Sequence, residues 1–200
     1  GVVGTWAPAM NNTTTTVYTF TPTIGQCATT ATMTVVVGTT TTWTAGTPNF
    51  WSNGTPTSID AAVISTNYSE TATLNACTLT VNNNAVVAIP VGTNVNVQGV
   101  VNVVSGSMAL ANTANLNQSL DVTNTGNISV TCTTSPLMRQ DYVLWSAPVT
   151  GQQLQLFSPG TLSNRFYTYN PSTDYYEAIA SPSTTNFIEG TGYLIRVPNT

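Results

Sequence analysis

"TLTVNNNAVVAIPVGTNVNVQGVVNVVSGSMAL", residues 78–110, is the stretch on which the fold turns. Its apolar residues come in dyads with one residue between them: Leu79/Val81, Val87/Ile89, Val95/Val97, Val101/Val103 and Met108/Leu110. An apolar residue at every second position marks a short strand that buries one face. The first three dyads recur at steps of eight residues, and the spacers "NNNA", "PVGTN", "VQG" and "VSGS" are rich in turn formers. The series covers about residues 74 to 130, ending with Leu116, Val122 and Ile128/Val130. Stacked rungs of a parallel β-solenoid look like this, each rung pointing alternate side chains into a narrow core. A meander of antiparallel hairpins in a β-sandwich would show the same dyads, so both arrangements stay open at this level. In a solenoid, Asn82, Asn83, Asn84, Asn94 and Asn102 are expected at corners, where Asn tolerates left-handed backbone and bonds nearby peptide groups.

The chain around this stretch is unusually neutral. Charged residues make up 5% of its 200 residues, with three Arg, seven acids, neither Lys nor His, and a net charge of −4. Soluble domains usually carry about 25% charge, so hydroxyls and amides must cover this surface, as on many extracellular β-proteins. A hydrophobic fraction of 41% argues against disorder. Three scattered cations leave no footprint for a phosphate backbone, so neither nucleic acid nor an anionic membrane is an expected partner. No run of about 18 apolar residues is present to span a bilayer. No membrane insertion is expected, and any secretion signal would lie outside this sequence.

Runs of β-branched and aromatic residues broken by Gly, Pro and Asn predict an all-β chain in three segments. Residues 1–38 hold "TVYTFTP" (16–22) and "CATTATMTVVV" (27–37), a hairpin around "TIGQ" preceded by "GTWAPAM". Strands this few cannot close a sandwich, so one face should lie open. Residues 39–132 form the solenoid-like or sandwich module, with Trp43, Phe50 and Trp51 near its start and Thr39–Thr42 as the expected boundary. Residues 133–200 read as an antiparallel β module with strands at 141–146, 153–157, 165–169, 175–179 and 192–197.

The wording of the first segment closely resembles the end of an immunoglobulin-like repeat from large surface adhesins of gliding Bacteroidetes, the SprB-like proteins. The shared words are Gly1–Pro8, Asn11–Thr13, Tyr18–Pro22, Gly25–Cys27 and Thr32–Thr34. This implies a partial immunoglobulin-like β-sandwich unit, entered partway. In that family the cysteine of "GQC" pairs with one on an earlier strand, which implies that Cys27 is left unpaired by truncation. Residues 39–64 are similar to the opening of a module of secreted Bacteroidetes proteins, without its usual Asn-Trp. Asp141–Gln152, Phe157–Pro159, Arg165–Asn170 and Gly190–Pro198 resemble the stretch that precedes the C-terminal sorting domain of type IX-secreted proteins. The resemblance implies an extracellular, cell-surface location, a role in adhesion or gliding motility, and the type IX machinery and surface anchoring components as partners.

The residue types argue against catalysis. Without His the usual nucleophilic triads cannot form, and the acids Asp60, Glu70, Asp121, Asp141, Asp174, Glu177 and Glu189 are scattered, with Asp174 and Glu177 the closest pair on a probable hairpin. No closely spaced acid run invites calcium, and no Cys/His cluster invites zinc. No enzyme, metal or cofactor is therefore expected. Among Cys27, Cys77 and Cys132 the simplest accounting in an oxidising compartment is one pair and one orphan, with Cys77–Cys132 a possible disulfide; three buried thiols is the other reading. Trp51, Tyr175 and Tyr176 are candidate glycan contacts, against simple burial. The three arginines are expected to pair with Asp141, Asp174 or Glu189. Two functions remain: a structural and adhesive segment of a cell-surface adhesin, or a carbohydrate-binding module of a secreted enzyme. A weaker third is a self-assembling filament subunit that completes its open β-edge with a neighbour.

Overall fold

Period-two alternation of Val, Leu and Ile with Thr and Asn produces strands, and the way those strands are returned on one another sets the architecture. The computed structural model describes residues 1–198 and is all-β, with several sheets and a β-solenoid. It divides into two compact units, Gly1–Ser129 and the chain from Val130 onward.

The first unit opens with β1 (Gly4–Ala7), β2 (Thr16–Pro22) and β3 (Ala31–Val35), an antiparallel sheet in that order. Its register pairs Trp6 with Phe20, Phe20 with Ala31, Tyr18 with Met33 and Thr16 with Val35. Cross-strand partners share a face, so one face carries Trp6, Tyr18, Phe20, Met33 and Val35 and the other mostly Thr. Only Tyr18 is buried, its hydroxyl donating to Asn11 O at 3.1 Å while Asn11 N donates back at 2.6 Å. Trp6 and Met33 remain about half exposed. The open face expected from so few strands is present.

The solenoid follows. Its strands are β4 (Thr40–Thr44), β5 (Phe50–Trp51), β6 (Ala61–Ile64), β7 (Leu74–Ala76), β8 (Thr78–Val81), β9 (Ala85–Ile89), β10 (Asn94–Val97), β11 (Val101–Val103), β12 (Gly106–Leu110), β13 (Asn115–Gln118) and β14 (Ile128–Val130). They lie in three sheets, β7-β10-β13, β5-β4-β6-β8-β11 and β9-β12-β14, and the chain visits them in turn. Every described pairing among them is parallel except β4 with β5. An antiparallel sandwich is thereby ruled out.

The eight-residue step is the distance from one side of the coil to the next. Most paired positions are 21 residues apart, as are Asn75 and Asn96 and Asn96 and Asn117, which hydrogen bond between neighbouring coils; the step is 17 from β6 to β8 and 22 from β8 to β11. Inside, side chains stack in columns: Leu74–Val95–Leu116, Ile64–Val81–Val103, Val87–Met108 and Ile89–Leu110. Leu79, Val81, Val87, Val95 and Ile64 are fully enclosed, and each such burial is worth about 1.5–3 kcal/mol.

Corners differ in part from expectation. Asn83 and Asn84 take left-handed backbone, at φ 53° and 55°. Asn94 and Asn102 lie instead within strands and face outward, because Val95, Val101 and Val103 beside them claim the core. Gly106 turns a corner at φ +100°, where a Cβ would collide with the Ala85 carbonyl of the previous coil. Val122 is not part of a strand. The last coil reduces that side to a single Asn102–Thr125 bridge, and Asn124 Oδ1 accepts from Val101 N at 2.9 Å in place of a strand carbonyl.

The coil begins on an aromatic cluster. Trp43, Trp51 and Tyr68 meet with ring centroids 5.2–6.0 Å apart. Burial, with Glu70 nearby, pushes the Tyr68 phenol up to about 12. Asp60 ties the first two coils together, accepting from Thr39 N (2.8 Å), Thr39 Oγ1 (3.0 Å), Thr57 N (3.0 Å) and Thr57 Oγ1 (2.6 Å). Thr40–Thr44 is thus the first strand of the solenoid.

The second unit contains β15 (Tyr142–Trp145), a helical turn α1 (Leu154–Phe157), β16 (Phe166–Asn170), β17 (Tyr175–Ala178) and β18 (Tyr193–Arg196). The strands form an antiparallel sheet in the order β15-β18-β16-β17. Its core is Leu154, Phe166, Phe187, Tyr193 and Ile195, with Trp145, Ala147 and Ile179 packed against it. The strand expected at 153–157 is a helical turn, which buries Leu154 in the core and brings the Phe157 ring, three residues on, against Trp145 and Phe187 at 5.0 and 5.3 Å. Leu156 faces solvent, and the Gln155 amide bonds the Thr161 carbonyl at 2.8 Å.

Candidate functional site

The C-terminal sheet has two unlike faces, and alternation decides which residues each receives. Phe166, Tyr193 and Ile195 point into the core. Their neighbours Tyr142, Leu144, Arg165, Tyr167, Leu194 and Arg196 therefore occupy the opposite face, with Tyr169 and Tyr176 beside them. The register aligns Tyr142 with Arg196, Leu144 and Tyr167 with Leu194, and Tyr169 with Tyr176. Arg165 lies in a helical turn just before β16, whose first residue Phe166 pairs with Ile195 beside Arg196, and the charges of both arginines act on Tyr167. Two of the three cations in the chain thus act on one tyrosine.

The guanidinium of Arg165 is held in place, with Nη1 donating to Tyr167 Oη at 3.1 Å and Nε enclosed without an acceptor. That bond holds the Tyr167 phenol below its ordinary value, helped by a bond from Tyr142 and by the charges of Arg165 and Arg196. The Tyr142 and Tyr167 rings meet at 6.0 Å, and those of Tyr169 and Tyr176 at 5.6 Å. At the far end the Tyr169 hydroxyl donates to Asp174 Oδ1 at 2.7 Å, which raises its pKa. The result is an exposed aromatic strip with cations at one end and a carboxylate at the other.

The residues singled out from sequence fall in different places. Tyr176 belongs to this strip. Tyr175, its neighbour along the strand, faces the other way and is 72% exposed. Trp51 is half-buried in the cluster with Trp43 and Tyr68, a packing role. Asp174 and Glu177 do not face a common substrate: Asp174 serves Tyr169, while Glu177 accepts from Asn170 Nδ2 at 2.8 Å. Asp141 accepts from Met138 N at 2.7 Å. Arg165 thus has a phenol as its partner where an acid was expected. Cys27 and Cys132 are exposed and Cys77 half-buried, and all three are free thiols, so no Cys77–Cys132 disulfide is present. Cys77 is held at a solenoid corner, its amide donating to Asp60 O and its carbonyl accepting from Gly99 N, each at 2.7 Å.

Tyr142, Tyr167, Tyr169 and the Arg165/Arg196 pair were not identified from sequence. The signal was present in "RFYTYN", where Arg165, Tyr167 and Tyr169 recur at every second residue. The other strands that complete the strip could not be aligned without the register.

Two further surfaces compete for attention. The first is the outer side of the solenoid, where Asn96 Nδ2 donates to Asn75 Oδ1, Asn117 Nδ2 to Asn96 Oδ1 (both 2.9 Å) and Asn115 Nδ2 to Asn94 Oδ1 (3.0 Å). These amides bond one another along the axis and so knit the coils. The second is a cavity of about 300 Å³ in the C-terminal unit, lined by Trp145, Phe157, Phe187, Pro148, Gln152 and Cys132. It carries no charged side chain.

No curated protein and no solved structure matches the chain. Residues 9–200 match one protein family, and that match runs through the N-terminal sheet, the solenoid and the C-terminal unit alike. On that span, the chain belongs to the family described as "Domain of unknown function (DUF8693)".

Proposed function

We propose that this chain is a non-enzymatic structural and adhesive segment of a cell-surface adhesin, exported by type IX secretion and engaged in surface attachment or gliding motility. The observation that carries this reading is the rung-to-rung amide ladder Asn75–Asn96–Asn117 over a closed aliphatic core. A solenoid stapled this way resists shear along its axis, because many parallel hydrogen bonds must break together. Its neutral Thr and Asn coat also avoids charge-driven association. The sequence resemblances to SprB-like repeats and to the stretch before a sorting domain support the location and the secretion route. The partners proposed are the type IX machinery, surface anchoring components and surface glycans.

The test is labelling of intact source cells with antibody against this chain, with attachment measured after its deletion. Surface labelling together with reduced attachment is expected. Absence of label on intact cells, with label after lysis, overturns the reading. A carbohydrate-binding module of a secreted enzyme is the second reading, favoured by the exposed tyrosine strip of the C-terminal sheet. A filament subunit is the third, favoured by the open apolar face of Trp6, Phe20, Met33 and Val35. Sedimentation of the full chain separates the third reading from the others, since a filament subunit would run as large assemblies.

A further inference from the structure

We infer that the cavity of the C-terminal unit is a binding site for one uncharged sugar residue at the end of a glycan. Trp145, Phe157 and Phe187 would take the C–H face of the sugar ring, and Thr131, Ser146 and Gln152 its hydroxyls. This deepens the adhesive reading by naming what the segment holds, and rests on that reading for its setting, though not for its test.

The aromatic walls are the first argument. The cavity holds about 300 Å³, at the small end of ligand sites, so it admits a single ring and not a polymer laid lengthwise. Trp145 pairs with Tyr193 and so shares the core face of the sheet, opposite the tyrosine strip. The Phe157 ring stands steeply to those of Trp145 and Phe187, at 69° and 84° with centroids 5.0 and 5.3 Å away. Rings set edge to face leave part of their surface uncovered, and all three border the cavity. Phe157 is 38% exposed, so the space opens to solvent. Water against such walls lacks hydrogen-bond partners, and the C–H face of a ligand displaces it favourably.

The polar groups of the lining are the second argument. No charged side chain borders the cavity, and a charge placed against its walls would lose water without gaining a partner, so the ligand is uncharged. The lining is nonetheless not wholly apolar. Thr131, Ser146 and Gln152 belong to it, and the Thr131 and Ser146 hydroxyls have no hydrogen-bond partner among the described residues. The Gln152 amide is oriented by its Nε2, which donates to the Gln153 carbonyl at 3.1 Å and leaves Oε1 to accept. A hydrocarbon would cover these groups and leave them unpaired. A sugar ring meets both demands, with an apolar C–H face and a rim of hydroxyls that donate and accept.

Cys132 borders the cavity and Cys27 lies exposed in the other unit, so these free thiols supply a probe and a control. In the test the full chain is alkylated with iodoacetamide in the presence of the methyl glycosides of glucose, galactose, mannose and N-acetylglucosamine, and mass spectrometry follows each cysteine. At least one glycoside should slow Cys132 alkylation several-fold and saturably, and leave Cys27 unchanged. Glucuronate, glucosamine and cyclohexanol should give no such protection. Phe157→Ala should abolish the protection, and Ser146→Ala should weaken it several-fold. Thermal melts establish that each variant is folded. Ser146→Ala keeps the test decisive if Phe157→Ala does not fold, because Ser146 is surface-exposed. Absence of protection by every glycoside overturns the inference, as does unaltered protection in folded Phe157→Ala or in Ser146→Ala. Equal protection by the charged sugars overturns the uncharged assignment, and equal protection by cyclohexanol overturns the sugar assignment. Failure here leaves surface labelling unaffected, so the two readings fail separately.

Discussion

The outer face of the solenoid and the outer face of the C-terminal sheet use the same alternation to opposite ends. On the solenoid the outward residues are small and uncharged, and Asn75, Asn96 and Asn117 satisfy one another along the axis. On the C-terminal sheet the outward residues are large, and the antiparallel register sets Tyr142 beside Arg196, Leu144 beside Leu194 and Tyr169 beside Tyr176, with no single residue type running across the strands. Parallel stacking of coils in register sets one residue type over itself, as Asn75, Asn96 and Asn117 at steps of 21 residues, and lets polar groups pair internally. An antiparallel sheet of unrelated strands has no such ladder, and its polar groups pair one by one, Arg165 with Tyr167 and Tyr169 with Asp174, while its aromatic rings stay partly exposed. The first face knits the molecule together along its axis, while the second leaves aromatic surface exposed.

That contrast can be broken at its supports first. Phe166→Ala should cost the C-terminal unit about 3–5 kcal/mol, and Leu79→Ala the solenoid about 2–5 kcal/mol. Denaturant melts followed by tyrosine and tryptophan signals would measure both. Next comes Gly106→Ala, which puts a Cβ at positive φ against the Ala85 carbonyl. A loss of about 1–3 kcal/mol is expected from backbone strain alone, and a neutral result would mean the coil corner can shift.

Asp60 provides a pH test confined to the solenoid. Bonds from Thr57, then Thr39, lower its pKa from an ordinary 3.8 to about 2. A carboxylate depressed on folding contributes its stabilisation above the unfolded value and loses it as pH falls through the folded one. The wild-type melting temperature should therefore drop between about pH 4 and pH 2 by more than that of Asp60→Asn, which has already lost the charge.

Smaller effects sharpen the comparison of faces. Asn96→Ala removes both of its ladder bonds and should cost about 1–3 kcal/mol, at about 0.5–1.5 kcal/mol for each bond. Tyr176→Ala, an exposed position, should change stability by less than about 0.5 kcal/mol. If Tyr176→Ala proved the costlier of the two, the division into a knitting face and an exposed aromatic face would be wrong.

Legibility varied by element for physical reasons. The dyads at Leu79/Val81 and Val95/Val97 announced strands because burial of one face leaves a local mark every second residue. Leu154–Phe157 misled, since Leu154 and Leu156 alternate as in a strand, and the helical turn is decided by core contacts that take Leu154 and Phe157 together. Trp51 and Tyr175 were as aromatic as Tyr176, and only packing and strand direction sorted them.

Composition and alternation by themselves determined an all-β chain, a repetitive central module, an incompletely covered first sheet and a nearly charge-free surface, because each follows from residue type and near-neighbour spacing. Tertiary structure decided that successive dyads are three sides of one coil, that Asn75, Asn96 and Asn117 form a ladder, and that Tyr142 lies opposite Arg196. Those facts depend on register between strands far apart in the chain, and register is settled by the whole packed core at once, which no local window contains.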